Sequence, residues 1–437
     1  MQIGTSAAEF RWAVGIEDTF IPQVASTTGR MLDEYDLTQH YRFWQEDLAL
    51  AASLGVRTMR YGIPWYKVNP ARGVFDWSWT DEVLPYMIRD LKIEPIIDLV
   101  HYGCPLWLQR EFANPTYAEQ VAEYAAAFVE RYRGLTRFYT PLNEPLVNTR
   151  YCGYTGYWPP YLRGWPGYVS ILMALTHGMS RTIAAIRELQ PDAVIVQAEA
   201  SSANSTADSS LADELEFVRR RQFLPNDLVL GRVDDEHPMK DWLLRNGAPP
   251  ALLQWLHAHP QPIDIVGVNF YPGMSCYRLL RQGEAVVRKR YYGGAAELEH
   301  ILRAYHDHYQ RPVMITEIST PGPVERRARW LSASLGAVRN MRTAGVPVVG
   351  YTWWPLFSLI TWQYRRGRKL VDAYLAHMGL WDLRSAGTDT FQRNPTKLVA
   401  LYADCVANSQ RVVGEVGGKA GDLVSSDLGV GSLNRPV

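Results

Sequence analysis

The chain has 437 residues, 47% of them hydrophobic and 21% charged, and its 45 Lys plus Arg equal its 45 Asp plus Glu. That length carries a large core and the composition is ordinary for a globular protein. The balanced charge gives no electrostatic case for nucleic acid or for an anionic membrane surface.

Aromatic residues stand out, with 15 Trp and 25 Tyr. Beyond filling a core, flat rings suit a cleft that holds the apolar faces of sugars. Cys104, Cys152, Cys276 and Cys405 are scattered without a CxxC pair, so no zinc site, redox motif or disulfide framework is expected. The N-terminus lacks a charged-then-apolar signal pattern and no run of eighteen apolar residues occurs, so a soluble, cytoplasmic protein without a membrane partner is expected.

In chain order, short apolar runs alternate with longer amphipathic stretches. Strands are predicted at Phe10–Gly15, Val56–Ile63, Glu94–His101, Arg137–Asn143, Ala193–Ala198, Ile263–Phe270, Pro312–Thr316 and Val346–Trp353. Helices are predicted at Thr38–Leu54, Thr80–Leu91, Thr116–Tyr132, Gly167–Leu189, Ala295–Tyr309, Ala328–Thr343 and Pro395–Asn408, with a helix-rich excursion over Leu211–His259. Near-continuous apolar strands imply a parallel sheet buried on both faces. Eight strand–helix units predict a closed (β/α)8 TIM barrel, a single α/β domain over 1–408. An open doubly wound sheet is the alternative, but no GxGxxG follows the first strand. The stretch 409–437, rich in Gly, Ser and Val, is expected to be a disordered tail.

Barrels of this kind carry their chemistry at the C-terminal strand ends. Reading those ends in turn gives Glu17 and Asp18, Arg60, His101-Tyr102, Asn143-Glu144, Glu199, Asn269-Phe270-Tyr271, Glu317, and Trp353-Trp354. Two glutamates on strands four and seven suit glycosidic bond cleavage, which needs one protonated and one ionised carboxyl. Arg60 and Tyr271 suit the ionised partner, because positive charge and hydrogen bonds lower a carboxyl pKa.

At these residues the sequence resembles glycoside hydrolase family 1, the β-glucosidase family, from about Phe10 to Leu401. Thr140–Pro145 resembles its T-x-N-E-P motif, implying Glu144 as acid/base and Asn143 as partner of the sugar 2-hydroxyl. Ile315–Ser319 resembles I-T-E-N-G, implying Glu317 as nucleophile. Met59-Arg60-Tyr61 with Trp65 and Pro70 places Arg60 beside that nucleophile. His101–Leu108 resembles H-W-D-x-P-x-x-L, implying that His101 contacts the sugar, with Tyr102 next to it. Asn269-Phe270-Tyr271 resembles N-Y-Y, implying Tyr271 as a hydrogen-bond partner of Glu317. Gly350–Trp354 resembles the start of G-Y-F-x-W-S-L-x-D-N-F-E-W, implying Trp354 as a stacking platform, with Trp362 at the motif's last tryptophan. The resemblance implies a retaining β-glycosidase acting on a carbohydrate, with no cofactor or metal.

Two positions depart from the family. The glutamate that holds the far hydroxyls of the sugar is replaced by Thr361, and the glutamine after the first strand by Phe20. Glu17 or Asp18 is the candidate substitute, and a sugar other than plain glucose is expected. A transglycosidase on the same machinery, or a non-catalytic sugar-binding barrel, are the alternatives. Glu199 reads as structural. His257/His259 and His306/His308 read as surface pairs, since i, i+2 spacing does not share a helix face. Arg219–Arg221 reads as a solvated basic run. Arg365–Lys369 is a second such run, with contact to an anionic substrate as its less favoured reading.

Overall fold

The computed structural model describes residues 9–387 and 390–417. Eight strands close a barrel: β1 (Arg11–Gly15), β2 (Thr58–Gly62), β3 (Glu94–Asp98), β4 (Phe138–Thr140), β5 (Val194–Ala200), β6 (Ile265–Phe270), β7 (Val313–Ile318) and β8 (Val348–Trp353). Each pairs in parallel with its neighbours in sequence, and β1 closes the ring against β8 and β2.

The period of two along each strand separates support from chemistry. Ala13, Ile96, Phe138, Val194, Val196, Ile265, Met314 and Val349 form an apolar cluster of their own, fed by seven of the eight strands. Two residues further along come polar groups: Asp98 after Ile96, Thr140 after Phe138, Thr316 after Met314. The apolar layer plugs the barrel and the polar layer floors the site above it. The alternate residues face the helices, as Tyr351 does when its hydroxyl meets Ser334 Oγ at 2.8 Å.

Helices over Tyr117–Tyr132 and Gly164–Leu189 pack against each other outside β4 and β5. The second is long and apolar enough to span a membrane by composition, but 67% of its most apolar stretch is buried in the fold. The excursion after β5 resolves into helices Ala212–Val229, Lys240–Arg245 and Pro250–Ala258 around a satellite core that includes Leu224, Leu228, Leu243 and Leu256. The predicted helix Thr80–Leu91 is α-helical over Ser78–Pro85 and continues as a π-helix over Tyr86–Asp90.

Several strands were not anticipated. A hairpin, Cys276–Gln282 with Ala285–Arg290, follows β6 and pairs with Ala203–Ser205. A second, Trp381–Ser385 with Phe391–Pro395, precedes the closing helix Lys397–Ala407. The domain boundary also moves. A helix over Ser409–Val413 buries Val412 and Val413, and Ser409 Oγ accepts from Trp12 Nε1 at 2.9 Å, so folded chain continues past 408. The rest of the expected tail, 418–437, lies outside the described residues. All four cysteines are buried and free.

Candidate active site

Arg60, in the middle of β2, is fully buried beneath the site. Its Nη1 donates to Glu317 Oε1 at 2.7 Å and to the Thr316 carbonyl at 3.1 Å. Its Nη2 donates to Asn143 Oδ1 at 2.9 Å and to Asp98 Oδ2. One guanidinium therefore ties β2, β3, β7 and the end of β4 together, using the planar fork that lysine lacks. Two glycines let large groups close in. A Cβ on Gly15 would lie 2.1 Å from the Trp354 ring, and one on Gly62 would lie 2.2 Å from Asp18.

Glu317 owes its aim to an irregularity. Between β7 and β6 the register runs from Ile315 opposite Val268 to Glu317 opposite Asn269, leaving Thr316 as the extra residue of a bulge. Bulges re-aim the side chain that follows them. Here Glu317 turns so that both its oxygens are engaged, Oε1 by Arg60 and Oε2 by the Tyr271 hydroxyl at 2.6 Å. Thr316 Oγ1 donates to Asn269 Oδ1 at 2.6 Å, which leaves Asn269 Nδ2 to donate to Glu144 Oε1 at 2.9 Å.

Glu144 has a left-handed backbone, φ +45°, between the end of β4 and a helical turn that Pro145 begins. Such conformations are costly for residues other than glycine and cluster at working sites. Tyr102, at φ +85°, shares the property and donates its hydroxyl to Glu144 Oε2. Behind them stands Glu199, fully buried, accepting from the Ala200 and Leu146 amides at 2.7 and 3.3 Å. It anchors the turn that carries Glu144. Burial, with the Glu144 charge nearby, raises its pKa well above the usual range.

Both central carboxyls are almost inaccessible, Glu144 at 6% and Glu317 at 3% exposure. Burial raises Glu144, against hydrogen bonds from Tyr102 and Asn269. Burial and then the Glu144 charge raise Glu317, against Arg60. The second ionisation of the pair is thereby pushed up to about 8 and belongs to the pair jointly. The donors decide where the first charge resides. Glu317 has a guanidinium, a charge-assisted partner; Glu144 has only neutral donors.

A second network lies on the β1–β3 side. His101 Nδ1 is 2.5 Å from Asp18 Oδ1 and 3.3 Å from Asp98 Oδ2, and its Nε2 is 3.0 Å from Asn143 Nδ2. Asp18, Asp98 and His101 present the donor types of a metal site within 4.8 Å of one another. Their charge is met by the His101 ring and by Arg60.

The family profile of glycosyl hydrolase family 1 matches residues 8–279. The chain belongs to glycosyl hydrolase family 1. It is a glycoside hydrolase, a β-glycosidase that hydrolyses glycosides of carbohydrate substrates. Among similar curated proteins, aryl-phospho-beta-D-glucosidase BglC of Bacillus subtilis is 24% identical over 380 residues, covering 74% of this chain and 78% of that protein. Beta-glucosidase A of Thermotoga maritima is 24% identical over 352 residues, covering 74% and 78% respectively. Among solved structures, the family 1 β-glucosidase of Thermotoga maritima superposes with a TM-score of 0.78 at 20% identity, over 92% of this chain and 98% of that one.

The fold brings the family 1 residues read from the sequence to one place. Arg60, His101, Tyr102, Asn143, Glu144, Tyr271 and Glu317 form one hydrogen-bonded set. Trp354 lies beneath it, its ring 4.7 Å from the Arg60 Cζ and parallel to His101 at 5.9 Å. Trp362 packs against Tyr102 and Trp158 with centroids at 5.5 and 4.8 Å. Glu17 accepts from Trp354 Nε1 at 3.0 Å and from Thr19 Oγ1 at 2.6 Å, and Thr19 in turn accepts from Trp362 Nε1 at 3.2 Å. Glu17 is thus linked to both tryptophans, directly to Trp354 and through Thr19 to Trp362. Phe20 does not reach this side as a ligand; its amide donates to the His101 carbonyl at 2.9 Å and holds that loop.

Asp18 was read from the sequence as an alternative to Glu17 for the departed family ligands, and Glu199 as structural; Asp98 and Trp158 were missed. Asp98 was visible as the one charge late in the run Glu94–His101. Trp158 had no motif. Of the basic run Arg365–Lys369, Arg365 is buried and donates to the Gln23 carbonyl at 2.7 Å, and Arg366 donates to the Tyr157 carbonyl at 2.6 Å. Those two arginines are structural ties.

Proposed function

We propose that this hydrolase works with retention of configuration, with Glu317 as nucleophile and Glu144 as acid/base. The observation that carries this reading is the unequal set of donors, cationic at Glu317 and neutral at Glu144. Ionised Glu317 attacks the anomeric carbon while Glu144 gives its proton to the departing glycosidic oxygen. Glu144, now ionised, takes a proton from water, whose oxygen attacks the same carbon and releases Glu317. Arg60 stays fixed through both steps because Asp98 and Asn143 hold its other nitrogen. Asn143 is the partner of the 2-hydroxyl, Trp354 the platform under the ring, and His101 and Glu17 contacts to the sugar. With a carboxylate at Glu17 in place of the usual far-side pair, the sugar accepted differs from plain glucose in its far hydroxyls.

The test is Glu317→Gly assayed on aryl β-glycosides of several sugars, with and without azide. We expect turnover to fall on the order of 10⁴-fold. Azide should restore it, giving a glycosyl azide of inverted configuration. Wild-type turnover in this variant would remove the nucleophile assignment.

A further inference from the structure

Four arginines converge outside the catalytic set. Arg150 lies in the turn after Glu144, Arg221 in helix Ala212–Val229, and Arg288 and Arg290 in the hairpin after β6. They gather on aromatic rings. Arg288 Cζ is 3.5 Å and Arg290 Cζ 5.7 Å from the Tyr277 centroid; Arg150 is 6.0 Å from Tyr151; Arg221 is 4.9 Å from Trp165 and 5.8 Å from Tyr168. Among the described residues no carboxylate lies within ion-pair distance of any of the four. Arg288 donates to Asn204 Oδ1 at 2.8 Å and Arg290 approaches the Tyr277 hydroxyl at 3.5 Å; both partners are neutral. Arg288 is half-buried, and burial with the charges of Arg221, Arg150 and Arg290 holds its pKa down at about 10. Four cations without a carboxylate partner, one of them the half-buried Arg288, offer an anion a favourable place to bind.

The cluster adjoins the catalytic cleft through a run of rings. Tyr102, which donates to Glu144, lies 5.1 Å from Trp158; Trp158 lies 4.8 Å from Tyr151; and Arg150 lies over the Tyr151 ring, 6.0 Å from its centroid. In the proposed reaction Glu144 hands its proton to the leaving oxygen, so the leaving group lies on this side. We propose that Arg150, Arg221, Arg288 and Arg290 form a subsite for an anionic group on the leaving-group part of the substrate. The preferred substrates are then glycosides whose aglycone bears a carboxylate or a sulfate. This inference rests on the catalytic reading above for its direction, and the guanidinium forks suit either anion bidentately.

The experiment compares three aryl β-glycosides of one sugar, alike except that the ring carries no charge, a carboxylate or a sulfate. For the wild type we expect kcat/KM to favour an acidic aglycone by about tenfold or more. The preference should shrink as NaCl is raised. In Arg150→Glu, an exposed position, and in Arg288→Gln, the acidic-to-neutral ratio should fall toward one or below. A wild-type ratio near one, or a ratio these variants leave unmoved, overturns the subsite. The outcome in which no glycoside is turned over instead fails the catalytic reading. Calorimetric binding of a free carboxylated and a free sulfated phenol to wild type and Arg150→Glu then decides the subsite. Arginine-dependent binding supports it and its absence refutes it; comparison of the two phenols ranks the anions.

Discussion

At the residue scale, the site is a pair of buried carboxyls kept one proton apart. Glu144 and Glu317 were legible because each stands in a contiguous motif at a strand end. Asp18 meets His101 and Asp98 meets Arg60, both distant in the chain, so no local pattern announced either pairing. Arg219–Arg221 shows the limit of reading a run as one thing. Successive helical residues point about 100° apart, so Arg220 pairs with Glu216 at 2.7 Å while Arg221 packs on Trp165 and Phe217. The pair's electrostatics sets a pH profile. In the proposed mechanism Glu144 must hold a proton, and the pair gives up its last proton at about 8. We expect kcat/KM of the free enzyme to fall above that pH. Glu144→Gln should lose this basic limb and lose roughly 10²- to 10⁴-fold in rate with poor leaving groups. Initial rates from pH 5 to 10 check both, and a basic limb retained in Glu144→Gln would assign it elsewhere.

At the element scale, the eight barrel strands were readable because both faces are buried, which makes each a continuous apolar run. Their ends were read too long where polar site residues follow: the third strand stops at Asp98, leaving His101 and Tyr102 on the loop. The hairpin after β6 was missed because Tyr277–Arg290 is largely exposed and rich in arginine. The final helix was missed because five residues are too few to show a period. Its packing nevertheless contributes. Val412 and Val413 are buried, and Arg342 Nε donates to the Gly414 carbonyl at 3.1 Å. Burial of two valines is worth about 3 kcal/mol. A chain ending at Asn408 should therefore show a lower Tm than one ending at Gly417, measured by calorimetry. Equal Tm values would mean that this helix does not stabilise the barrel.

At the scale of the whole molecule, the barrel encloses more acid than it can ionise. Asp18 is pushed up to about 6, chiefly by burial, with His101 opposing. Glu34 is fully buried, accepts from the Ile360 amide at 3.0 Å, and is raised well above the usual range by burial and by Glu17. Glu199 is raised likewise, and the Glu144–Glu317 pair, proposed to be catalytic, keeps a proton to about 8. Each of these groups binds its proton more tightly folded than unfolded, where carboxyls titrate near 4. The folded chain therefore holds more protons than the unfolded chain from about pH 4 up to about 8. Stability falls with rising pH wherever the folded state is the better proton binder, by about 1.4 kcal/mol per pH unit for each proton of difference. The contribution of these groups is complete below their unfolded pKa and is lost as pH climbs through 6 for Asp18 and 8 for the pair. Carboxylates held low by partners, such as Asp227, titrate below this window and leave its slope unchanged. Tm measured at fixed ionic strength should thus be highest near pH 5 and decline steadily to pH 8. Glu34→Gln, which removes one buried acid and keeps its shape, should flatten that decline. A Tm that rises between pH 5 and pH 8 would show that the buried acids are ionised in the folded protein and matched by cations.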